Sequence, residues 1–355
     1  MERNIKKLEL QNIKTGVLLI NLGTPDSPNI KDVRNYLRQL LSSNRVIDIN
    51  PIIRWILLNL FILPFRPLTS SKAYKEIWSD DGSPLLINSQ NLKIALAEKL
   101  SDEKIYVELG MQCGKPSIKN AIKSLIDKGC DKIGVIPLYP QYASSSFGAA
   151  IEDVYRENLN KWNMPFLQIL PPIFSDTRFI EAWAKIGLPY LENHPDHIVF
   201  SFHGLPTRHL KKSDYSEKCC SNNYECCEVL VEENRYCYRA QCHHTTKLIA
   251  ERLKLKKENW SISFQSRLGR EEWIKPYTEQ LLKEFAEKGL KRIVIFCPSF
   301  VADCLETIEE IGITAANNFR KNGGEELKLV PSLNNHPEWI NALASIIRQN
   351  FLSNQ

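Results

Sequence analysis

Seven short apolar runs, separated by helix-length amphipathic stretches, restrict this chain to an alternating strand–helix architecture. They are VLLINL (17–22), IYVEL (105–109), IGVIPLY (133–139), FLQIL (166–170), IVFSF (198–202), ISF (262–264) and RIVIF (292–296). Between them, stretches such as PSIKNAIKSLIDKG and PYTEQLLKEFAEKGL place apolar residues at helical spacing and end in Lys-Gly. Lysine suits the negative end of a helix, and glycine tolerates the left-handed residue that closes it. Strand and helix alternating in this way predict an α/β fold with mainly parallel sheets covered by helices on both faces.

The pattern also repeats. Pro116, Gly129 and Ile133 open a helix, close it and start a strand, and Pro276, Gly289 and Ile293 do the same 160 positions later. VLLINLGTP (17–25) likewise matches IVFSFHGLP (198–206), with Gly23 against Gly204 and Leu22 against His203. We therefore expect two similar lobes, 1–185 and 186–355, with a ligand cleft between them beyond the carboxyl ends of the strands. Leu22 and His203 would approach that ligand from opposite lobes. The second lobe would carry the cysteine-rich segment 219–242 and a C-terminal helix.

With 355 residues, 43% of them hydrophobic, the chain can build a core of this size. Its net charge of +5 is spread thinly, without a basic tail or an aromatic-basic stripe, which argues against nucleic acid as a partner. The first 16 residues have no apolar core or small-residue cleavage site, so a signal peptide is not expected and the cytoplasm is. The longest apolar stretch, PIIRWILLNLFILPF (51–65), is interrupted by Arg54 and bounded by Pro51 and Pro64. That is too short for a bilayer span, which needs roughly 20 apolar residues. It reads either as a buried helix or as an exposed apolar lip (51–66) touching a greasy ligand or a membrane surface. The sequence leaves the oligomeric state open.

His203 directly follows a buried run and precedes Gly204-Leu205-Pro206, where an imidazole can reach a cleft and exchange protons near neutrality. By itself it could equally bond the turn. CPSFVADCLETIEEIG (297–312) sharpens the choice: Asp303, Glu306 and Glu310 share one face if the helix begins near Asp303. Such a row of oxygen donors suits passage of a divalent cation. CCSNNYECCEVLVEENRYCYRAQC packs six of the ten cysteines into 24 positions, a density suited to a soft metal. Cys237 and Cys242 with one thiol from each doublet would supply four ligands to an iron–sulfur cluster, while His243 and His244 keep a zinc site in competition. Tyr139, Tyr142, the serine run 144–146 and Trp273 could wall a flat aromatic ligand.

Taken together, LLINLGTPDSP, VRNYLRQLLSSNRVID, GSPLL, PLYPQYASSSFG, SFHGLP, QSRLGREEWIKPYT and FVADCLETIEEIG resemble the ferrochelatases over 16–336. The resemblance implies an enzyme of the chelatase fold that inserts ferrous iron into protoporphyrin IX and releases two protons. It implies His203 and Glu306 as catalytic residues, with Asp303 and Glu310 continuing the iron-side row. Leu22, Ser83, Tyr139 and Trp273 would line the porphyrin pocket, and 51–65 its mouth, at a membrane surface. The cysteine segment resembles that of a bacterial subset with an internal [2Fe–2S] cluster. This implies Cys219, Cys237 and Cys242 as ligands, with Cys226 or Cys227 as the fourth and zinc as the alternative occupant. Gln112-Cys113 replaces a common Arg-Tyr pair, and Cys304 sits where histidine is an alternative. Coproporphyrin, another metal or tetrapyrrole, or a non-enzymatic haem or metal carrier on the same scaffold are the competing readings.

Overall fold

The structure, a computed structural model, describes residues 14–217, 219–220, 225–267, 269 and 271–352. The amino terminus read for a leader lies outside them, as do Leu268 and Arg270 of the QSRLGREEW motif. Two four-stranded parallel sheets form, with strand orders β2-β1-β3-β4 and β6-β5-β7-β8. The first contains β1 (Lys14–Gly23), β2 (Tyr106–Cys113), β3 (Cys130–Pro137) and β4 (Phe166–Ile169). The second contains β5 (His197–His203), β6 (Trp260–Gln265), β7 (Arg292–Phe296) and β8 (Glu326–Leu329). The two orders are identical, so the repeat in sequence is a repeat in topology. It extends to the turns: Lys115-Pro116 and Lys275-Pro276 are both cis, leading into the Ile118–Asp127 and Thr278–Glu287 helices.

Strand β8 has no counterpart among the seven runs. Glu-Leu-Lys-Leu is four residues long, alternates charge with leucine and lies at the sheet edge, so no continuous apolar run marks it. The central strands are apolar on both faces because helices cover both. Val17, Leu18, Leu19 and Ile20 are fully buried, as are Val199, Phe200 and Phe202.

Each lobe lends its last helix to the other. The Thr177–Gly187 helix follows β4 yet packs on the second sheet, where Trp183 lies 6.3 Å from Phe296 and Gly187 admits the Phe296 ring. The Pro337–Ile347 helix and the turn after it return to the first lobe: Arg348 bonds Glu103, and Lys132 donates to the carbonyl of Phe351. The division expected at residue 185 falls inside the Thr177–Gly187 helix. One hydrophobic core, including Leu19, Phe179, Trp183, Phe200, Trp339 and Phe351, runs through both lobes.

The apolar stretch behaves differently from expectation. Helix continues from Pro51 to Ile77, through Pro64 and Pro67. A π-helical turn at Leu57–Ile62 precedes Pro64, which then falls in the first turn of the next α-helical piece, where a missing N–H costs little. By length and composition alone this helix could cross a membrane, which is weak evidence that it does. Ile52, Trp55, Phe61 and Phe65 are each more than half exposed, so the exposed lip is the reading that survives.

Candidate active site at the strand ends

Strand β5 outruns β7. Its ladder with β7 ends at Phe200–Phe296, whereas its pairing with β6 continues to His203–Gln265. His203 is thus the last residue of the strand, and Gly204 turns sharply beside β6. A Cβ on Gly204 would come within 2.8 Å of the Gln265 carbonyl oxygen, and the Gly204 N–H donates to that same oxygen. Trp273 is brought alongside through its bridge to Pro206. The His203 ring lies 6.4 Å from Trp273 and 6.3 Å from Phe300. Its Nδ1 is 2.6 Å from the Gly204 carbonyl oxygen, which can only accept. Nδ1 is therefore the donor in this bond, and in the neutral ring Nε2 is the nitrogen that bears the lone pair.

The acidic helix starts one residue later than its charge spacing suggests. Cys304 is the N-cap, with Leu305–Thr307 in α-helix and Ile308–Ala315 in π-helix. Asp303 precedes the helix, so the expectation that it shares a helical face with Glu306 and Glu310 fails. Its carboxylate instead accepts from Thr307, Ser332 and Asn334, tying the helix start to the loop after β8. Glu310 is held by Ser266, and Gln265 donates both to it, at 3.4 Å, and to the main-chain oxygen of Glu306. Burial raises the Glu310 carboxyl above the usual range, against the pull of Ser266 and His203. The Glu306 charge is felt by two tyrosines of the first lobe, Tyr36 and Tyr74. Burial raises both phenols well above their ordinary value, and the Glu306 charge adds to it.

The residues expected on the opposite wall lie in the first lobe. Leu22 is the penultimate residue of β1, and His203 is the last of β5. Ser83, buried at the N-cap of the Pro84–Lys99 helix, accepts from Thr24 at 2.8 Å. Leu85, two residues on, clusters with Ala302 and Cys304 of the second lobe. Tyr139 donates to Gln112, which donates on to Asp153. Burial lifts Asp153 above the usual carboxylate range and pushes Cys113 up to about 12.

The cysteine segment brings three of the expected ligands, Cys219, Cys226 and Cys237, to one cavity. Cys219, Cys220, Cys226 and Cys237 line one small cavity with Asp214, Glu233 and Asn234. Cys227 lies behind, its sulfur 3.8 Å from that of Cys226, hydrogen-bonded to Cys237 and beside the buried Arg239. Cys242 is fully buried against Tyr238, away from the cavity. His243 is driven down to about 3, first by burial and then by Arg239. Among the described residues no three His, Cys, Asp or Glu side chains are spaced to hold one metal ion.

Sequence reasoning thus brought His203, Trp273, Glu306 and Glu310 to one region. It missed Gln265, Ser266, Tyr36 and Phe300, although all four stand in quoted motifs, and it missed Tyr74, which only the fold delivers.

Comparison with known proteins gives the family. A family model described as Ferrochelatase matches residues 14–351. A ferrochelatase of Coxiella burnetii (strain CbuK_Q154) is 46% identical over 339 residues, covering 95% of this chain and 94% of the relative. One of Legionella pneumophila (strain Lens) is 45% identical over 339 residues, covering 96% and 100%. Among solved structures, SirB from Bacillus subtilis with Fe3+ shares 10% identity at a TM-score of 0.53, covering 95% of this chain and 96% of that one, a likeness of fold alone.

Proposed function

The chain belongs to the ferrochelatase family, whose members insert iron into a porphyrin to make haem, and on that premise we propose protoporphyrin IX as the substrate and His203 with Glu306 as the catalytic pair. The observation that carries the assignment is the Nδ1 bond of His203 to its own turn, which commits Nδ1 to the Gly204 carbonyl and leaves Nε2 outside that bond, on a ring flanked by Trp273 and Phe300.

Metallation removes two N–H protons from the macrocycle and brings a hydrated cation to its centre. Nε2 of His203 accepts a pyrrole proton or meets the entering iron. Glu306 and Glu310 form the carboxylate route for iron and protons on the same side. Asp303, with its oxygens taken by three donors, holds the start of that route in place. Leu22, Ser83, Tyr139 and Trp273 complete the pocket walls, and Gln112, which with Cys113 replaces an Arg-Tyr pair, links Tyr139 to Asp153. Iron insertion in His203→Ala and Glu306→Ala tests the pair: the expected result is loss in both, and full metallation by both as folded proteins refutes the assignment.

The exposed lip supports protoporphyrin, the less charged porphyrin, and a peripheral seat on the inner face of the cytoplasmic membrane. Assay with protoporphyrin and coproporphyrin in parallel decides the first point. For the cysteine segment, the donor chemistry fits a thiolate-bound group. Cys219, Cys220, Cys226 and Cys237 line one cavity without being at ligand spacing, Arg239 offsets negative charge, and Cys237 is lowered by its bond from Cys227 and the N–H groups of the helix start. These residues would hold a [2Fe–2S] cluster, with zinc as the competing occupant. When bound, a cluster supplies a cross-link between the loop and the Tyr238–Arg252 helix and a one-electron redox centre. Purified protein with visible charge-transfer absorption supports it; colourless protein with stoichiometric zinc refutes it.

A further inference from the structure

Nothing in the sheet holds the main chain of His203 on the side facing β7, because that strand has already ended. Two side chains take over. The Ser299 hydroxyl accepts from the His203 N–H at 3.2 Å, and the Tyr238 hydroxyl donates to the His203 carbonyl at 2.9 Å. Tyr238 is buried, 35 positions away in sequence, and in contact with both Ser299 and Cys242. It is the first residue of the Tyr238–Arg252 helix, entered directly from the cysteine segment through the N-cap Cys237.

The same helix face reaches the other wall. Gln241, one turn on, accepts from the N–H of Tyr142 at 2.6 Å and donates to the Arg235 carbonyl. Thr245 accepts from Gln141 at 3.1 Å and donates to the carbonyl of Phe174. Residues 238, 241 and 245 are spaced i, i+3 and i+7, so one face of one helix touches the histidine turn of the second lobe and the 139–142 loop of the first.

We infer that Tyr238 is a positioning residue for metal insertion, acting through the backbone of His203, and that its helix is a strut setting the distance between the two pocket walls. The inference rests on the reading of His203 as catalytic. Tyr238 itself touches neither substrate. Its ring packs in the core and its hydroxyl fixes where the last strand residue ends, hence where Nε2 stands relative to the porphyrin nitrogens. A displacement of a fraction of an ångström there lowers the rate without altering how the macrocycle binds.

The test is steady-state iron insertion by Tyr238→Phe, Ser299→Ala and the double variant, with His203→Ala alongside. Tyr238→Phe is expected to lower kcat roughly fivefold to tenfold, about one net hydrogen bond, with an unchanged KM for porphyrin. Porphyrin affinity by fluorescence titration stays the same. Ser299→Ala should give a similar loss, and the double variant less than the product of the two, because both side chains hold the main chain of one residue, His203. An unchanged kcat in Tyr238→Phe, a rise in KM that accounts for its loss, or independent multiplication in the double variant overturns the inference. Full activity in His203→Ala overturns the underlying reading of His203; its loss there beside an unaffected Tyr238→Phe overturns the strut alone.

Discussion

Ser266 grips the Glu310 carboxylate twice, its N–H 2.7 Å from Oε1 and its hydroxyl 2.5 Å from Oε2. It does so from a left-handed backbone conformation, φ +64°, that is uncommon for a residue with a side chain. The strain and the two bonds fall on the same residue, immediately after β6, where the strand leaves its ladder for the site. Glutamine at 310 can still accept from the N–H, and its amide can donate to the hydroxyl. Glu310→Gln is therefore expected to unfold within about 1 kcal/mol of the parent in urea, while losing iron insertion at least about tenfold. Full activity in that variant would remove Glu310 from the metal route.

Acid sensitivity should originate away from the site, at Glu108. Burial alone would raise its carboxyl, but Lys128, Ser124 and Lys93 outweigh it and bring it down to about 2. A depressed folded value means stability present above the ordinary glutamate range and lost progressively as pH falls from about 5 toward 2. Glu108→Gln should cost about 2 kcal/mol at pH 7 and much less at pH 3. Urea melts at the two pH values check it, and a constant difference would exclude Glu108.

Phe351 fills the space over Gly134 on β3. A Cβ at 134 would lie 2.7 Å from its ring. Gly134→Ala should cost about 1–3 kcal/mol by overpacking, and Phe351→Ala about 3–5 kcal/mol by the cavity left. The double variant should be more stable than the sum of the two losses implies, since the alanine methyl then has room. Additive urea midpoints would mean that the C-terminal turn does not press on β3.

Trp55 and Phe61 project from the lip with more than half of their surfaces exposed, near Arg54 and Arg66. Replacing both with aspartate should reduce cosedimentation with anionic phospholipid vesicles at least about fivefold, with no change in thermal midpoint. Equal binding by parent and variant would assign the lip to the porphyrin alone.

Much of the fold was written in local pattern. Fully buried strands read as continuous apolar runs, and the Pro, Gly and Ile landmarks 160 apart marked two copies of one unit. What escaped had physical reasons. Strand β8 is half charged because it lies at an edge. Pro64 looked like a terminator because a π-helical turn that excuses its missing N–H leaves no signal in the residues themselves. Asp303 was grouped with Glu306 and Glu310 by spacing, but the chain is extended at Cys304, and the spacing rule applies only inside a helix. Tyr238 and Cys220 depend on contacts across the fold, which no periodicity reports.

The exchange of terminal helices limits how this molecule can open. Swinging the lobes apart like a clamshell would pull the Thr177–Gly187 helix off β7 and peel Phe351 from β3, exposing a core common to both halves. A flat substrate as large as a porphyrin must then come and go through movements of the rim, at the lip and the acidic helix, around a frame that stays shut. Cut between its sheets, neither half would keep its own cover, so the duplicated unit, however it arose, can no longer live singly.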